Sequence, residues 1–526
     1  MPKAYTSKRS RRISAAVAVL LALLTWTLRD HIPVFPGGKI NTSAAEVKLA
    51  RPQIYYGPAN SIAVLPFSCT STGVGVTSSA RDVPETESDS RPVDDPSLAE
   101  GIAEALIGLL EQVPGLQVTS LNSSFFFRGG DTALPVLAER LKVKYILEGC
   151  ARQVAGGIEI SARLHDMKTG SEKWSQSFNG QLDEVFAIQD EIAAAAVRSV
   201  SKEKGVNMPV SQPVNPQAWL LLLEGRHQFR LRAPGSLRQA ERALKQALKM
   251  EPEFAPVLLD LARVYMDPAS LAAPGPTGIE RAREMILGAL RLDPELAGAY
   301  LELSRIRRVV DWDWKGASEA AQKALELRAG NADVLSNAST ALFTRGIFDP
   351  AILLLKEAIK RDPLVLQHLQ KLGLLYEFSG NYEESLLSYQ ILLRLNPDYP
   401  GVHAYRARTM LAQSMPESAL DESEREQHPF WQRYARILSL MALDRRDEAD
   451  PLLQQMINEH SNDAAYQLAE IYAFGGDVDA AFNWLERAYR QRDGGMSELI
   501  GNHFLSNLEK DARWKELLVK VALIKR

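Results

Sequence analysis

Cysteine is nearly absent from this chain: Cys69 and Cys150 are its two thiols in 526 residues. That is too few for a disulfide scaffold or a thiolate zinc site. A large charge of one sign is also missing. The 61 basic and 65 acidic side chains leave −4 at neutral pH, which excludes the basic domain that nucleic-acid binding requires. Catalytic signatures are lacking too. Phe127-Arg128-Gly129-Gly130-Asp131 is rich in glycine but has no Lys-Ser/Thr ending, so it reads as a turn and not a phosphate loop. There is no Gly-x-Ser-x-Gly elbow and no His-Glu-x-x-His. The eight histidines never fall at i,i+4, which removes a helix-borne metal pair. Asp94-Asp95 and Glu383-Glu384 lie in loop or turn segments and read as solvated. Trp312, Trp314, Trp484 and Trp514 fall at helix-packing positions and read as core or cap. No catalytic residue, cofactor site or metal site emerges, and the chain reads as a non-enzyme.

Long apolar runs are scarce as well, with one exception. Lys3, Lys8, Arg9, Arg11 and Arg12 precede an uncharged run from Ile13 to Leu28, which Arg29-Asp30 closes. The run is just short of a usual span. It fits either a cleaved signal peptide or an uncleaved anchor. Cleavage needs small residues shortly after the apolar core. Thr27-Leu28-Arg29-Asp30-His31 does not supply them, and Ser43-Ala44-Ala45 is too distant. The expectation is a transmembrane signal anchor over 13–28. The basic tail 1–12 then stays in the cytoplasm and the bulk of the chain lies outside it.

What the chain has in abundance is a unit of about 34 residues. A proline marks it in Met250-Glu251-Pro252, Leu292-Asp293-Pro294, Arg361-Asp362-Pro363 and Leu395-Asn396-Pro397. Small residues keep the same beat at Ala240, Ala282, Ala317, Ala351, Ser385, Ala419, Ala449 and Ala481. A second beat follows seven residues later at Ala247, Ala289, Ala324, Ala358 and Ala488. Small residues seven apart share one helix face and let a neighbouring helix approach closely. The fifth unit carries Leu369, Leu372, Gly373, Tyr376, the turn Asn381-Tyr382-Glu383 and Pro397. This pattern resembles the tetratricopeptide repeat. About eight units are expected over 217–495. Beyond them, 496–526 keeps apolar spacing and reads as a capping segment, with Trp514 and Leu517 packed on the unit of Ala481, Leu485 and Ala488.

Between anchor and repeats the pattern is α/β. A Pro/Gly-rich linker fills 29–60. Ser61–Phe67 reads as a strand, 68–97 as a mobile loop and Leu98–Val113 as a helix. Further strands are expected at Leu116–Ser120, Lys144–Glu148, Ile158–His165 and Lys173–Phe178, with helices at Ala133–Leu141 and Val185–Ser201. The order implies a sheet that starts parallel and ends as an antiparallel meander. A second linker, 206–216, leads into the repeats. Cys69 and Cys150 each follow a strand, and these strands fit as parallel neighbours. The thiols are therefore a candidate disulfide outside the cytoplasm, or two independent cysteines; sequence leaves both open.

Specific stretches here resemble the TolB-type amino-terminal domain found beside tetratricopeptide repeats in bacterial membrane proteins. They include Ile62–Phe67, Leu98–Leu106, Val113–Leu116, Tyr145–Gly149, Asp166–Gly170 and Phe186–Ile192. Asp311-Trp312-Asp313-Trp314 and Gly476–Leu485 match the same group within the repeats. The departures are Glu100 where relatives carry Asp, and Glu104-Ala105 where they carry two acids. The resemblance implies a multi-domain chain: one transmembrane helix, a TolB-like α/β domain over 61–205 and an all-α solenoid. It implies the bacterial inner membrane, with the bulk periplasmic. Relatives often place a winged-helix or nucleotide cyclase module before the membrane segment; twelve residues cannot hold either.

Two functions compete. One is a scaffold that holds a protein or peptide partner in the solenoid's concave groove, lined by Asp333, Ser336, Thr340, Gln367, Gln370, Glu377 and Arg408. The other is the sensory half of a signalling system. It would bind a small ligand near the strand ends at Phe67, Ser120 and Gly149. Oligomeric state, partner and pathway are not legible in the sequence.

Overall fold

The computed structural model describes residues 57–69, 95–128, 132–155, 157–201, 210–211, 214–267 and 276–524. The expected tail, anchor and most of the first linker and of loop 68–97 lie outside the described residues. Among the described residues no helix is long and apolar enough to cross a membrane.

The α/β region runs β1 (Ser61–Val64), α1 (Pro96–Leu110), β2 (Gln117–Val118), α2 (Leu121–Phe125), α3 (Leu134–Leu141), β3 (Tyr145–Val154), β4 (Gly157–Asp166), β5 (Ser171–Gly180) and α4 (Val185–Val200). Its sheet has the order β2-β1-β3-β4-β5. β1 pairs in parallel with both β2 and β3, and β3–β4–β5 form the antiparallel meander. β1 is buried at every position, as a central parallel strand must be. β4 alternates, burying Ile158, Ile160, Ala162 and Leu164. β5, at the edge, is mostly exposed and polar, which blunts it against pairing with another chain. The short helix α2 is an element the sequence pattern does not announce; Ser120 caps it. Asp95 caps α1, its carboxylate accepting from the Ser97 and Leu98 amides at 2.9 and 3.3 Å.

Sixteen helices follow as eight antiparallel pairs: α5 (Pro216–Leu231) with α6 (Ser236–Met250), α7 (Ala255–Met266) with α8 (Pro276–Leu292), α9 (Ala297–Ile306) with α10 (Trp314–Leu327), α11 (Ala332–Phe343) with α12 (Phe348–Arg361), α13 (Leu366–Phe378) with α14 (Tyr382–Leu395), α15 (Val402–Ala412) with α16 (Pro416–Ser423), α17 (Pro429–Ala442) with α18 (Arg446–His460), and α19 (Ala465–Phe474) with α20 (Val478–Gln491). The small-residue beat is the packing seam. Ala240, Ala282, Ala317, Ala351, Ser385, Ala419, Ala449 and Ala481 are all at most 1% exposed. Larger side chains there would push the helices apart.

The α/β region and the first three pairs share one apolar core. A continuous cluster runs from Ile62, Leu98, Ile102 and Leu106 through Trp219, Leu222 and Leu223 to Leu244, Leu259, Ile286 and Ile306. Gly101 lets α1 meet α5, since a Cβ there would run into Leu223. The segment 206–216 therefore does not separate two independent cores.

The carboxyl end folds back. Two 3₁₀ stretches, Gly494–Glu498 and His503–Lys510, lead to α21 (Ala512–Lys520). Trp514 and Leu517 join Ala481, Leu485 and Ala488 in one cluster, as capping requires. That cluster also takes in Trp312, from the turn between α9 and α10, and Trp314, the first residue of α10, far back in the chain. Trp314 Nε1 donates to the Val521 carbonyl at 2.6 Å. The Trp312 ring lies 5.7 Å from Tyr489, and the Arg492 guanidinium sits 4.7 Å over it.

Candidate functional site: the inner helix face

Four neighbouring helices build a ladder of charge. Glu100 and Glu104 lie one turn apart on α1 and face α5. Arg230 bonds Glu100 at 3.1 Å and Glu104 at 2.6 Å. Arg226 bonds Glu104 at 3.1 Å and Asp260 of α7 at 2.6 Å. Arg263 bonds Asp260 at 2.9 Å and Glu302 of α9 at 3.1 Å. Arg305 closes on Glu302 at 3.2 Å. Arg128 and His227 add to Glu100 at 2.8 and 3.0 Å. Burial pushes the Asp260 carboxyl up, but Arg226 and Arg263 outweigh it and leave it below the usual carboxylate range. Glu100 follows the same logic: burial is overcome by the His227 hydrogen bond and by Arg230 and Arg128. Glu100 and Glu104, singled out in sequence as departures from the family pattern, thus form part of the seam between the α/β region and the repeats.

At the other end the inner face is filled by the chain itself. Arg408 of α15 is 4% exposed. It pairs with Glu377 of α13 at 3.1 Å and Glu470 of α19 at 2.8 Å, and donates to the Tyr434 hydroxyl at 2.7 Å. Its guanidinium lies 4.6 Å over the ring of Phe504. Asn502, from the returning carboxyl segment, donates to Glu470 at 2.7 Å and to the Tyr466 hydroxyl at 2.8 Å. Tyr466 donates to the Glu498 carbonyl at 2.9 Å. Gly501 has φ +81 and lies so close to Phe348 that no side chain fits. Burial, then the charge of Glu470, pushes Glu498 up to about 8 against the pull of Arg408. Burial also raises Glu377, with Arg408 opposing.

A family profile for the tetratricopeptide repeat matches residues 369–399, which hold the fifth pair. That pair is a tetratricopeptide repeat. "Putative adenylate cyclase 3" of Rhizobium meliloti (strain 1021) is 31% identical over 161 residues, which is 30% of this chain and 27% of that protein. The match thus spans about a quarter of that relative's length. Among solved structures, Pseudomonas aeruginosa pilF is similar at 21% identity over 42% of this chain and 98% of its own, with a TM-score of 0.33. YrrB, described as a TPR protein with an unusual peptide-binding site, is similar at 20% identity over 39% of this chain and 99% of its own, with a TM-score of 0.32.

On this solenoid of helix pairs the seven residues named from sequence divide. Glu377 and Arg408 do not line an open groove; they are buried under the carboxyl-terminal segment. Ser336 is also buried, its carbonyl accepting from Thr340 Oγ1 at 2.9 Å. Gln370 is half-buried and accepts from the Tyr399 hydroxyl at 3.2 Å. Asp333 and Thr340 are half-buried, and Gln367 is exposed. The strand-end crevice is filled as well. Phe67 packs on Gly149. The Ser120 amide donates to the Arg361 carbonyl at the end of α12 at 2.8 Å. Ser123 Oγ donates to Asp362 at 2.5 Å. Cys69 and Cys150 are joined, with Cα atoms 4.7 Å apart. Among the described residues no cluster of three His, Cys, Asp or Glu side chains is arranged to hold a metal.

Proposed function

We propose that the chain is a membrane-anchored, extracytoplasmic scaffold or adaptor that holds a protein or peptide partner. The observation that carries this reading is the middle of the tetratricopeptide inner face. There Asp333, Thr340, Gln367 and Gln370 stay solvent-accessible between the α/β region on one side and the returning carboxyl segment on the other. Polar side chains on stacked helices suit recognition of an extended peptide through hydrogen bonds. The anchor over 13–28 and the TolB-type identity of 61–205 belong to the same reading. A photocrosslinker at Gln367 tests it, with Lys315, whose side chain is 77% exposed, as the control position. In membranes, a discrete protein adduct is expected at Gln367 and not at Lys315. Equal labelling at both positions would overturn the reading.

A second reading keeps the chain in signalling, and the 161-residue likeness to a protein named an adenylate cyclase favours it. In that reading the α/β region passes its state to the repeats through the Glu100–Arg230 and Glu104–Arg226 pairs. Charge reversal at Glu104 would then change signalling output without changing partner capture at Gln367.

A further inference from the structure

The ladder of charge stops at an unmatched rung. Ser304 on α9 and Asn337 on α11 are buried and joined, Asn337 Nδ2 donating to Ser304 Oγ at 2.9 Å. Lys371 of α13 stands one repeat beyond Asn337, so this row crosses three successive inner helices. Arg305 follows Ser304 directly, and Arg308 stands one turn along in the π-helical stretch Arg307–Asp311. Arg305 shares Glu302 with Arg263. Among the described residues Arg308 has no acid partner, and its Nε is buried without a hydrogen bond. Lys371 is exposed and, among the described residues, makes neither ion pair nor hydrogen bond. Asp333, one turn before Asn337 on α11, is the acid that acts on Lys371, and it forms no ion pair with it. Although Lys371 reaches solvent, the protein packed around it, then Arg308 and Arg305, press its ammonium down to about 8 against Asp333. Upstream, each ladder arginine meets a carboxylate; downstream, Arg408 meets two. Among the described residues the matching fails where Gln367 and Lys371 of the inner face are exposed.

We propose that this stretch takes an acidic segment of a protein partner, a carboxylate of which completes the ladder between Arg308 and Lys371. The inference rests on the scaffold reading and gives its partner a chemistry. Every existing rung is a guanidinium–carboxylate pair, the geometry that arginine forks favour. Gln367, exposed one turn before Lys371 on the same helix face, offers an amide to a peptide main chain. Val309 and Val310, 57% and 39% exposed, offer apolar contact at the rim. A small anion would use the charges but neither the amide nor the valines.

The test uses the full chain and fluorescein-labelled octaglutamate, with octaglutamine as the neutral probe, at fixed salt. Saturable binding of octaglutamate alone is expected. Arg308→Gln and Lys371→Gln should each weaken it about tenfold, and together by more, as lost charge contacts do. Lys315→Gln on the outer face should leave it unchanged. The same two variants should melt no lower than the parent, because each removes an uncompensated charge; a loss of binding that tracks a loss of melting temperature overturns the proposal. Undiminished octaglutamate binding in the double variant also overturns it, as does inorganic phosphate competing as well as the peptide. The two readings fail separately. A partner crosslinked at Gln367 that binds the double variant as tightly as the parent removes the acidic assignment and leaves the scaffold standing. Charge-dependent octaglutamate binding with no partner at Gln367 supports the acidic site and removes the scaffold.

Discussion

Replacing Arg408 with methionine should destabilise the second half of the solenoid, and the cost is set by what remains behind. Glu377, Glu470 and Arg408 are all 4% exposed or less. One guanidinium serves two carboxylates, one hydroxyl and two aromatic rings. Methionine keeps much of the packing on Phe504 but leaves two buried carboxylates uncompensated. Breaking a buried pair in this way costs about 3–5 kcal/mol. For a cooperative unit of 150–250 residues, each kcal/mol shifts the melting temperature by roughly 2–4 °C, so a fall on the order of 10 °C is expected. The loss should shrink as pH falls and Glu377, already raised by burial, takes up a proton. It should also shrink in the triple variant Arg408→Met/Glu377→Gln/Glu470→Gln, where no buried charge is left. Differential scanning calorimetry of the purified chain across pH reads all of this. An unchanged melting temperature in Arg408→Met, with partner capture lost, would mean that Arg408 faces an open groove and that the carboxyl segment does not occupy it.

Three further outcomes follow from single contacts. Glu498, pushed up to about 8, keeps a proton that an ordinary glutamate in the unfolded chain loses near 4.5, so the folded state binds more protons between these values. Stability should fall from about pH 4.5 to about pH 8 and then level off, and Glu498→Gln should flatten that part of the melting profile. Trp514→Ala should cost about 3–5 kcal/mol, the usual loss for a large buried aromatic side chain, measured as a melting shift with partner capture retained per folded molecule. Mass mapping without reduction should yield a peptide linked through Cys69 and Cys150. Reduction should then lower the melting temperature, because the bond closes a loop with a sequence separation of 81 and such loops contribute about 4 kcal/mol in the chain-entropy account.

Much of the architecture was legible because it is local or periodic. The small residues from Ala240 to Ala481 mark the seam since a close helix pair tolerates nothing larger. The alternation in Ile158–Leu164 marks a half-buried strand. Trp514 and Leu517 were readable as a cap because a final repeat must cover its apolar face. The groove was only half legible. Repeat register tells which face of a helix holds Glu377 or Arg408, but it does not tell what lies over that face. The answer came from Asn502 and Phe504, which belong to no repeat. One signal was present and unused: Arg226 and Asp260 are 34 residues apart, one repeat, so opposite charges at matching positions of successive inner helices announce a ladder. The shared core was hidden for a related reason. Gly101 in α1 has no periodic marker, and its meaning lies in Leu223, more than a hundred residues away.

The bond from Trp314 to Val521 has a consequence for how such a chain can change over generations. An open array of helix pairs touches only its neighbours and can gain or lose a unit at little cost. Here the last helix is latched to the third pair, so the intervening units form a circuit of fixed length. Inserting or deleting one pair between α11 and α20 would carry Val521 away from the Trp314 indole and draw Phe504 out from beneath Arg408. The count of repeats in this stretch is therefore locked, and variation is confined to the side chains that line the circuit.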